Sequence, residues 1–237
     1  LYENKCFCGI LYKGHENKEI TAILDTIDIV TYILRFGEYN PEAVLSTCKQ
    51  KLVYVYDNCN LSDAMQYLKS GFRYIIVKNT EDHSIISQGS VLRYMYSNNV
   101  LHNCMTLNKT LLDLQICSRQ VLIYCGESDK VLDTYQLMLQ HNITSIPILN
   151  ANGECVFGLS IHDVIEAIVK DIDFNMTCIE FGKRLYKEIS PILASVDSTL
   201  KDVFDLIMYH RIHHVYVQEN GKLIGVVSYI DIIKILF

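Results

Sequence analysis

A four-part unit of strand, polar turn, strand and helix recurs along this chain, and it limits the possible folds more than any other feature. Its clearest copy is residues 210–237, HRIHHVYVQENGKLIGVVSYIDIIKILF. Residues 215–218 are a short β-branched and aromatic run, residues 219–222 carry the Asn-Gly pair of a tight hairpin, and residues 223–227 are a second apolar run. Ser228 then stands three residues ahead of Asp231, within the apolar stripe Ile230, Ile232, Ile233, Ile235 and Leu236. That serine-to-acid spacing starts a helix. A carboxylate therefore lies in the first helical turn, at the end of the second strand.

Residues 6–36 repeat the plan with Asp28 in the place of Asp231, but only the second half of a unit is present there. The chain starts with leucine inside this copy, so a preceding segment is expected. From Lys51 the plan recurs in full, with a strand at 52–56, a helix at 61–68, strands at 74–77 and 84–87 around the polar loop 79–83, and a helix at 90–95. Ser90 stands there where the other copies have aspartate. The third copy has a strand at 121–124, a helix at 130–140, the run SIPIL, the turn NANGE, the run CVFGLS and a helix containing Asp163, with Ser160 ahead of it. The fourth begins at PILASV and continues through a helix at 198–211 to the hairpin and helix already described.

Positions 28, 90, 163 and 231 fall about 60 to 75 residues apart, which is a repeat period. The resulting plan is a partial repeat 1 at 1–38, repeat 2 at 39–99, a linker at 100–116 that ends helical, repeat 3 at 117–171, a linker at 172–187 and repeat 4 at 188–237. Each unit leaves one apolar sheet face that a neighbour must cover. The units are expected to pair, first with second and third with fourth, into two α/β modules.

Half of the 237 residues are apolar and a fifth are charged, a globular composition with enough chain for a sizeable core. No apolar run approaches the roughly 18 residues of a membrane span, so no membrane is expected as a partner. A net charge of -6 without a basic stripe argues against nucleic acid. The nine cysteines are scattered and odd in number, and the one close pair, Cys6 and Cys8, has no second pair or histidine cluster at zinc-finger spacing. Reduced thiols in an intracellular protein, with no structural metal, are the expectation. No acid-base pair or activated nucleophile stands at usable spacing, which argues against an enzyme.

With strand, helix, hairpin and helix in tandem, and an aspartate after the last strand, the units resemble cystathionine β-synthase (CBS) domains. The connectors TLLDLQI and FNMTCIEFGKR, and the presence of the aspartate in units one, three and four but not two, resemble the gamma subunit of AMP-activated protein kinase. The resemblance implies four repeats arranged as a disc with adenine nucleotides in clefts around its centre. A ribose diol offers two hydroxyl donors to one carboxylate, and phosphates need cations, hydroxyls and backbone amides at helix starts. On that resemblance Asp28, Asp163 and Asp231 are the ribose acceptors. His213 and Arg73 match groups that meet phosphate, and His214 stands where the family often has arginine. Thr144, Ser160 and Ser228 line the clefts, and Arg184 is a looser candidate in the second connector.

The chain also departs from the family. Phe7 stands near a phosphate-binding arginine of the first repeat, Phe72 replaces a histidine of the second, and Gly89 and Asn142 replace basic residues. Each lost cation removes a charge-assisted bond worth about 1.5 to 3 kcal/mol. The acids equally serve as helix caps, whose carboxylates meet the first-turn N–H groups and the helix dipole, and the two roles coexist.

The resemblance implies a non-catalytic regulatory subunit, cytoplasmic or nuclear, with AMP, ADP and ATP as regulatory ligands and no prosthetic group. Its partners would be a catalytic alpha-type and a scaffolding beta-type kinase subunit. Two alternatives stand beside it. One is a structural CBS subunit with decayed clefts, and the other is a free-standing CBS protein that binds another adenosyl ligand such as S-adenosylmethionine.

Overall fold

The computed structural model describes residues 7–13, 19–48, 52–79, 83–116 and 121–237. Cys6, Cys117 and most of the polar loop at 79–83 lie outside the described residues.

Repeat 1 is a hairpin of β1 (Cys8–Lys13) and β2 (Glu19–Asp25), followed by α1 (Thr26–Phe36) and α2 (Pro41–Thr47). Repeat 2 runs β3 (Tyr54–Tyr56), α3 (Leu61–Lys69), β4 (Tyr74–Lys78), β5 (His83–Ser87) and α4 (Gln88–Ser97). Repeat 3 runs β6 (Cys125–Gly126), α5 (Val131–Gln140), β7 (Ser145–Leu149), β8 (Cys155–Ser160) and α6 (Asp163–Val169), and α7 (Cys178–Leu185) follows it. Repeat 4 runs β9 (Leu193–Ser195), α8 (Leu200–His210), β10 (His214–Glu219), β11 (Lys222–Ser228) and α9 (Tyr229–Leu236).

The three full repeats share one sheet topology. A short first strand lies parallel to the middle strand, which pairs antiparallel with the last. In repeat 4 the hairpin turns on Asn220 and Gly221, both with φ near the left-handed region, at 50° and 77°. That is the backbone an Asn-Gly pair favours. In repeat 3 the turn is longer, and the Asn150 side-chain oxygen closes it by accepting from the N–H groups of Asn152 and Glu154.

The described residues of 1–51 and 123–191 form one compact unit, and those of 52–122 and 192–237 form a second. Two modules are present, but repeat 1 pairs with repeat 3 and repeat 2 with repeat 4, not first with second and third with fourth. Helix packing decides this. In the first unit α1 lies against α5 and α6, and Ile29, Val30 and Ile33 join Val131, Tyr135 and Met138 in one buried cluster. In the second α9 lies against α3 and α4, and Ile232 and Ile233 join Met65, Leu68 and Leu92. Burial of each such side chain contributes about 1.5 to 3 kcal/mol, so the apolar stripe follows its best complement and not its nearest neighbour along the chain.

The connectors reinforce the pairing. After repeat 2 the chain makes a 3-10 turn at Met105–Asn108 and then bonds to the start of repeat 4 through Leu111 N–H to Ser198 O (3.0 Å), Leu112 N–H to Val196 O (3.1 Å) and Leu200 N–H to Lys109 O (2.9 Å). The linker was expected to end helical, but residues 111–116 are turns. Amides that a helix would use internally bond to repeat 4 instead, and Gln115 has φ 53°. The second connector does become a helix, α7, capped by Thr177 and Glu180 and tied to repeat 3 by Cys178 N–H to Asp129 O (2.8 Å).

Helix α7 packs through Gly182, where a β-carbon would meet the buried Phe157 ring at 2.8 Å. Gly to Ala in a helix normally gains up to about 1 kcal/mol, whereas overpacking costs about 1 to 3 kcal/mol. Gly182→Ala should therefore lower stability in urea titrations, and Phe157→Leu in the same chain should recover part of the loss. A stabilised Gly182→Ala variant would mean that the ring moves aside freely.

Candidate functional site

Each helix after a hairpin begins with a four-residue box. The boxes are Asp25-Thr26-Ile27-Asp28, Ser87-Gln88-Gly89-Ser90, Ser160-Ile161-His162-Asp163 and Ser228-Tyr229-Ile230-Asp231. In every box the backbone N–H of the first residue donates to the side chain of the fourth. The distances are 2.9 Å to Asp28, 2.8 Å to Ser90, 2.8 Å to Asp163 and 2.8 Å to Asp231. The first side chain works in return. Asp25 accepts from Ile27 N–H at 2.8 Å, Ser87 from Ser90 N–H at 3.1 Å and Ser160 from His162 N–H at 3.2 Å, while the Ser228 hydroxyl donates to Asp231 at 2.5 Å. Capping, the plain role open to these acids, is thus present in all three.

Strand register then brings a second residue to each box. The first box residue faces Cys8, Tyr74, Ser145 or His214 across the hairpin. The residue just before each of these is Phe7, Arg73, Thr144 or His213. In the three full repeats its carbonyl accepts from the second box residue: Gln88 to Arg73 at 3.4 Å, Ile161 to Thr144 at 2.9 Å and Tyr229 to His213 at 3.2 Å. Arg73, Thr144 and His213, picked separately in the sequence, therefore occupy one structural position beside Ser90, Asp163 and Asp231. His214 lies on the other side of its strand, against the Tyr216 ring at 5.0 Å. Arg184 is exposed in the last turn of α7, where its charge acts on Glu180.

In the first unit the boxes of repeats 1 and 3 meet. Thr26 Oγ1 is 2.9 Å from His162 Nδ1, and the Phe7 ring lies over His162 with centroids 4.4 Å apart. Asp25 and Thr26 are fully buried. Burial pushes the Asp163 carboxyl up to about 7, against the lowering effect of the Ser160 N–H and of a hydrogen bond from the Tyr186 hydroxyl. The buried Tyr135 hydroxyl feels the same carboxylate. Cys48, beside Asp28 and Asp25, is pushed up to about 11 by burial and then by those acids.

In the second unit the boxes of repeats 2 and 4 meet through Gly89 and Tyr229. A β-carbon on Gly89 would stand 2.8 Å from the Tyr229 ring and 3.2 Å from an Arg93 guanidinium nitrogen. His213 lies on Tyr229 with centroids 4.9 Å apart and planes inclined 33°. Burial, with a smaller push from Arg93, lowers His213 to about 4, and burial with a push from His213 lowers His214 to about 3. Both rings are therefore neutral at pH 7.

Asp25, Thr26, Arg93, Tyr135, His162, Tyr186 and Tyr229 of these junctions escaped the sequence reading. Asp25 was within reach, because it precedes Asp28 by the same three residues that separate Ser228 from Asp231. Tyr186, 23 residues beyond Asp163 in a connector, carries no local signal.

These shifts fix the pH dependence of stability. A carboxyl raised from 3.8 to about 7 stabilises the fold fully below pH 4 and loses that contribution as pH rises toward 7, at up to about 1.4 kcal/mol per pH unit. A histidine lowered to about 4 contributes above pH 6.5 and loses its contribution as pH falls to 4. Urea unfolding from pH 4.5 to 8 should show Asp163→Asn gaining on the unsubstituted chain as pH rises. A stability difference that stays constant with pH would contradict the burial of this acid.

Residues 114–170 and 187–237 match the CBS domain family. The gamma subunit of 5'-AMP-activated protein kinase from Saccharomyces cerevisiae is 25% identical over 174 residues, 70% of this chain and 54% of that protein, so the match spans about half the length of this relative. A Methanocaldococcus jannaschii protein, proposed as an archaeal homologue of g-AMPK, has a solved structure that superposes with TM-score 0.77 at 18% identity, covering 98% of this chain and 89% of that one. An uncharacterized conserved protein of Pyrococcus horikoshii superposes with TM-score 0.64 at 14% identity, covering 97% and 96%. At these identities the two structures establish the fold. The chain contains two CBS domains, at residues 114–170 and 187–237, and its sequence is similar to that of AMP-activated protein kinase gamma subunits.

Proposed function

We propose that this chain is the non-catalytic, nucleotide-sensing subunit of an AMP-activated-type kinase complex, and that AMP, ADP or ATP binds at the helix-start boxes. One observation carries the reading. Three boxes hold a carboxylate in the first helical turn, half-buried, with Thr144 or His213 beside two of them and the partner repeat's box close by in each unit. A carboxylate has about four acceptor positions, and the two bonds from Ser228 to Asp231 leave capacity for a diol. The helix N-termini and the Arg73 side chain supply the positive character that phosphate requires.

Sensing requires that AMP and ATP favour one state of the complex by different free energies. The catalytic alpha-type and scaffolding beta-type subunits would read that difference, as the similarity to kinase gamma subunits suggests. The departures at Phe7, Phe72, Gly89 and Asn142 weaken phosphate contacts in some boxes. They also motivate a second reading, a structural subunit with closed clefts, which the Tyr186 bond to Asp163 and the Tyr229 ring beside His213 favour.

Calorimetric titration of the whole chain with AMP and ATP separates the two. Asp28→Asn, Asp163→Asn and Asp231→Asn should each weaken the site they serve about tenfold or more, as loss of a charge-assisted bond does. Binding at the repeat 3 box should strengthen from pH 6 to 8, because the ionised Asp163 is the better diol acceptor. No heat from any adenine nucleotide at millimolar concentration would sink sensing and leave the scaffold. Failure to co-purify with alpha and beta kinase subunits would sink both.

A further inference from the structure

Among the four boxes, an aromatic residue stands at the second position only in repeat 4, as Tyr229, and a glycine stands at the third position only in repeat 2, as Gly89. The two residues meet. Tyr229 is buried, its ring edge fills the space a β-carbon of Gly89 would need, and its hydroxyl is hydrogen-bonded to Arg93 of α4. Its face lies on His213. A glycine in the first turn of a helix costs stability relative to alanine, so its presence under the ring points to a fitted pair. The corresponding junction of the first unit holds the smaller Thr26 and His162, joined by a hydrogen bond.

We propose that Tyr229 is a built-in occupant of the repeat 4 cleft and decides whether that cleft admits a ligand. Its ring stacks on His213 and its oxygen bonds to Arg93, the two contacts that a flat heteroaromatic ring bearing an anionic group would make there. A ligand of that class enters only when the tyrosine side chain rotates out, and until then the second unit presents a closed site beside Asp231. The ligand class rests on the nucleotide reading above, whereas the closure itself does not.

Two measurements on the whole chain keep these apart. The first is NMR titration of the His213 ring, which reports access of water to the cleft. Tyr229→Ala should raise its midpoint from about 4 by one to two pH units toward the ordinary 6.5. Gly89→Ala, which displaces the ring without shortening it, should raise it in the same direction. The second is titration with AMP, where both variants should bind at least tenfold more tightly, or show an additional site, and Asp231→Asn added to Tyr229→Ala should abolish the gain. Circular dichroism checks that each variant is folded. An unmoved His213 midpoint in either folded variant overturns the closure, and so does AMP binding in the unsubstituted chain with no gain in the variants. A shifted midpoint with no AMP bound by any form supports the closure and overturns the nucleotide reading.

Discussion

The hydrogen bond from the last strand residue's N–H to the side chain three positions later closes each of the four hairpin-to-helix corners among the described residues. A helix start leaves backbone donors without internal partners, and here those donors lie where two repeats press together. The box satisfies them locally and fixes where the fourth side chain points. Repeat 2 shows that charge is not needed for this, because Ser90 accepts from Ser87 N–H at 2.8 Å, the distance that Asp163 and Asp231 give. A hydroxyl would close the other corners without the desolvation that pushes Asp163 to about 7. The aspartates in the other repeats thus carry more acceptor capacity than the fold requires, which supports the proposal that they serve a ligand.

The same corner produces different electrostatics in the two units. In the first, carboxyls collect at the junction: Asp25 and Asp28 from one repeat and Asp163 from the other, with Cys48 and two tyrosines around them. Burial pushes Asp163, Cys48 and Tyr135 in one direction, toward protonation. In the second unit the junction holds His213 and Arg93, and burial drives the histidine toward its neutral form. At pH 7 Asp163 is thereby partly protonated and His213 is neutral.

The repeats were legible in the sequence because their signals are local. The Ser228 to Asp231 spacing, the Asn220-Gly221 turn and the alternation of the strands each act within a few residues, and the elements formed there. Local signals also misled. Thr110 to Asp113 and Thr177 to Glu180 carry the same helix-start spacing, yet the second starts α7 while the first sits in turns, because Leu111 and Leu112 bond to repeat 4. The pairing of repeats was not legible, since any apolar helix stripe suits any other until side-chain shapes are compared. At the site, Arg73, Thr144 and His213 came through their match to a family, while Tyr186 and Arg93 belong to it only through tertiary contacts.

Pairing of alternate repeats interleaves the two units along the chain. The backbone passes between them near residues 51, 122 and 191, and the contact of Thr26 with His162 joins residues 136 apart. Contacts this distant form late, because the entropy of closing the intervening chain precedes any gain from packing. The first unit cannot assemble until repeat 3 is present, nor the second until repeat 4 arrives at the C-terminal end. Each half-built unit exposes an apolar helix face meanwhile. The corners, whose hydrogen bonds span three residues, form independently of that wait and hold each helix at the angle its distant partner requires.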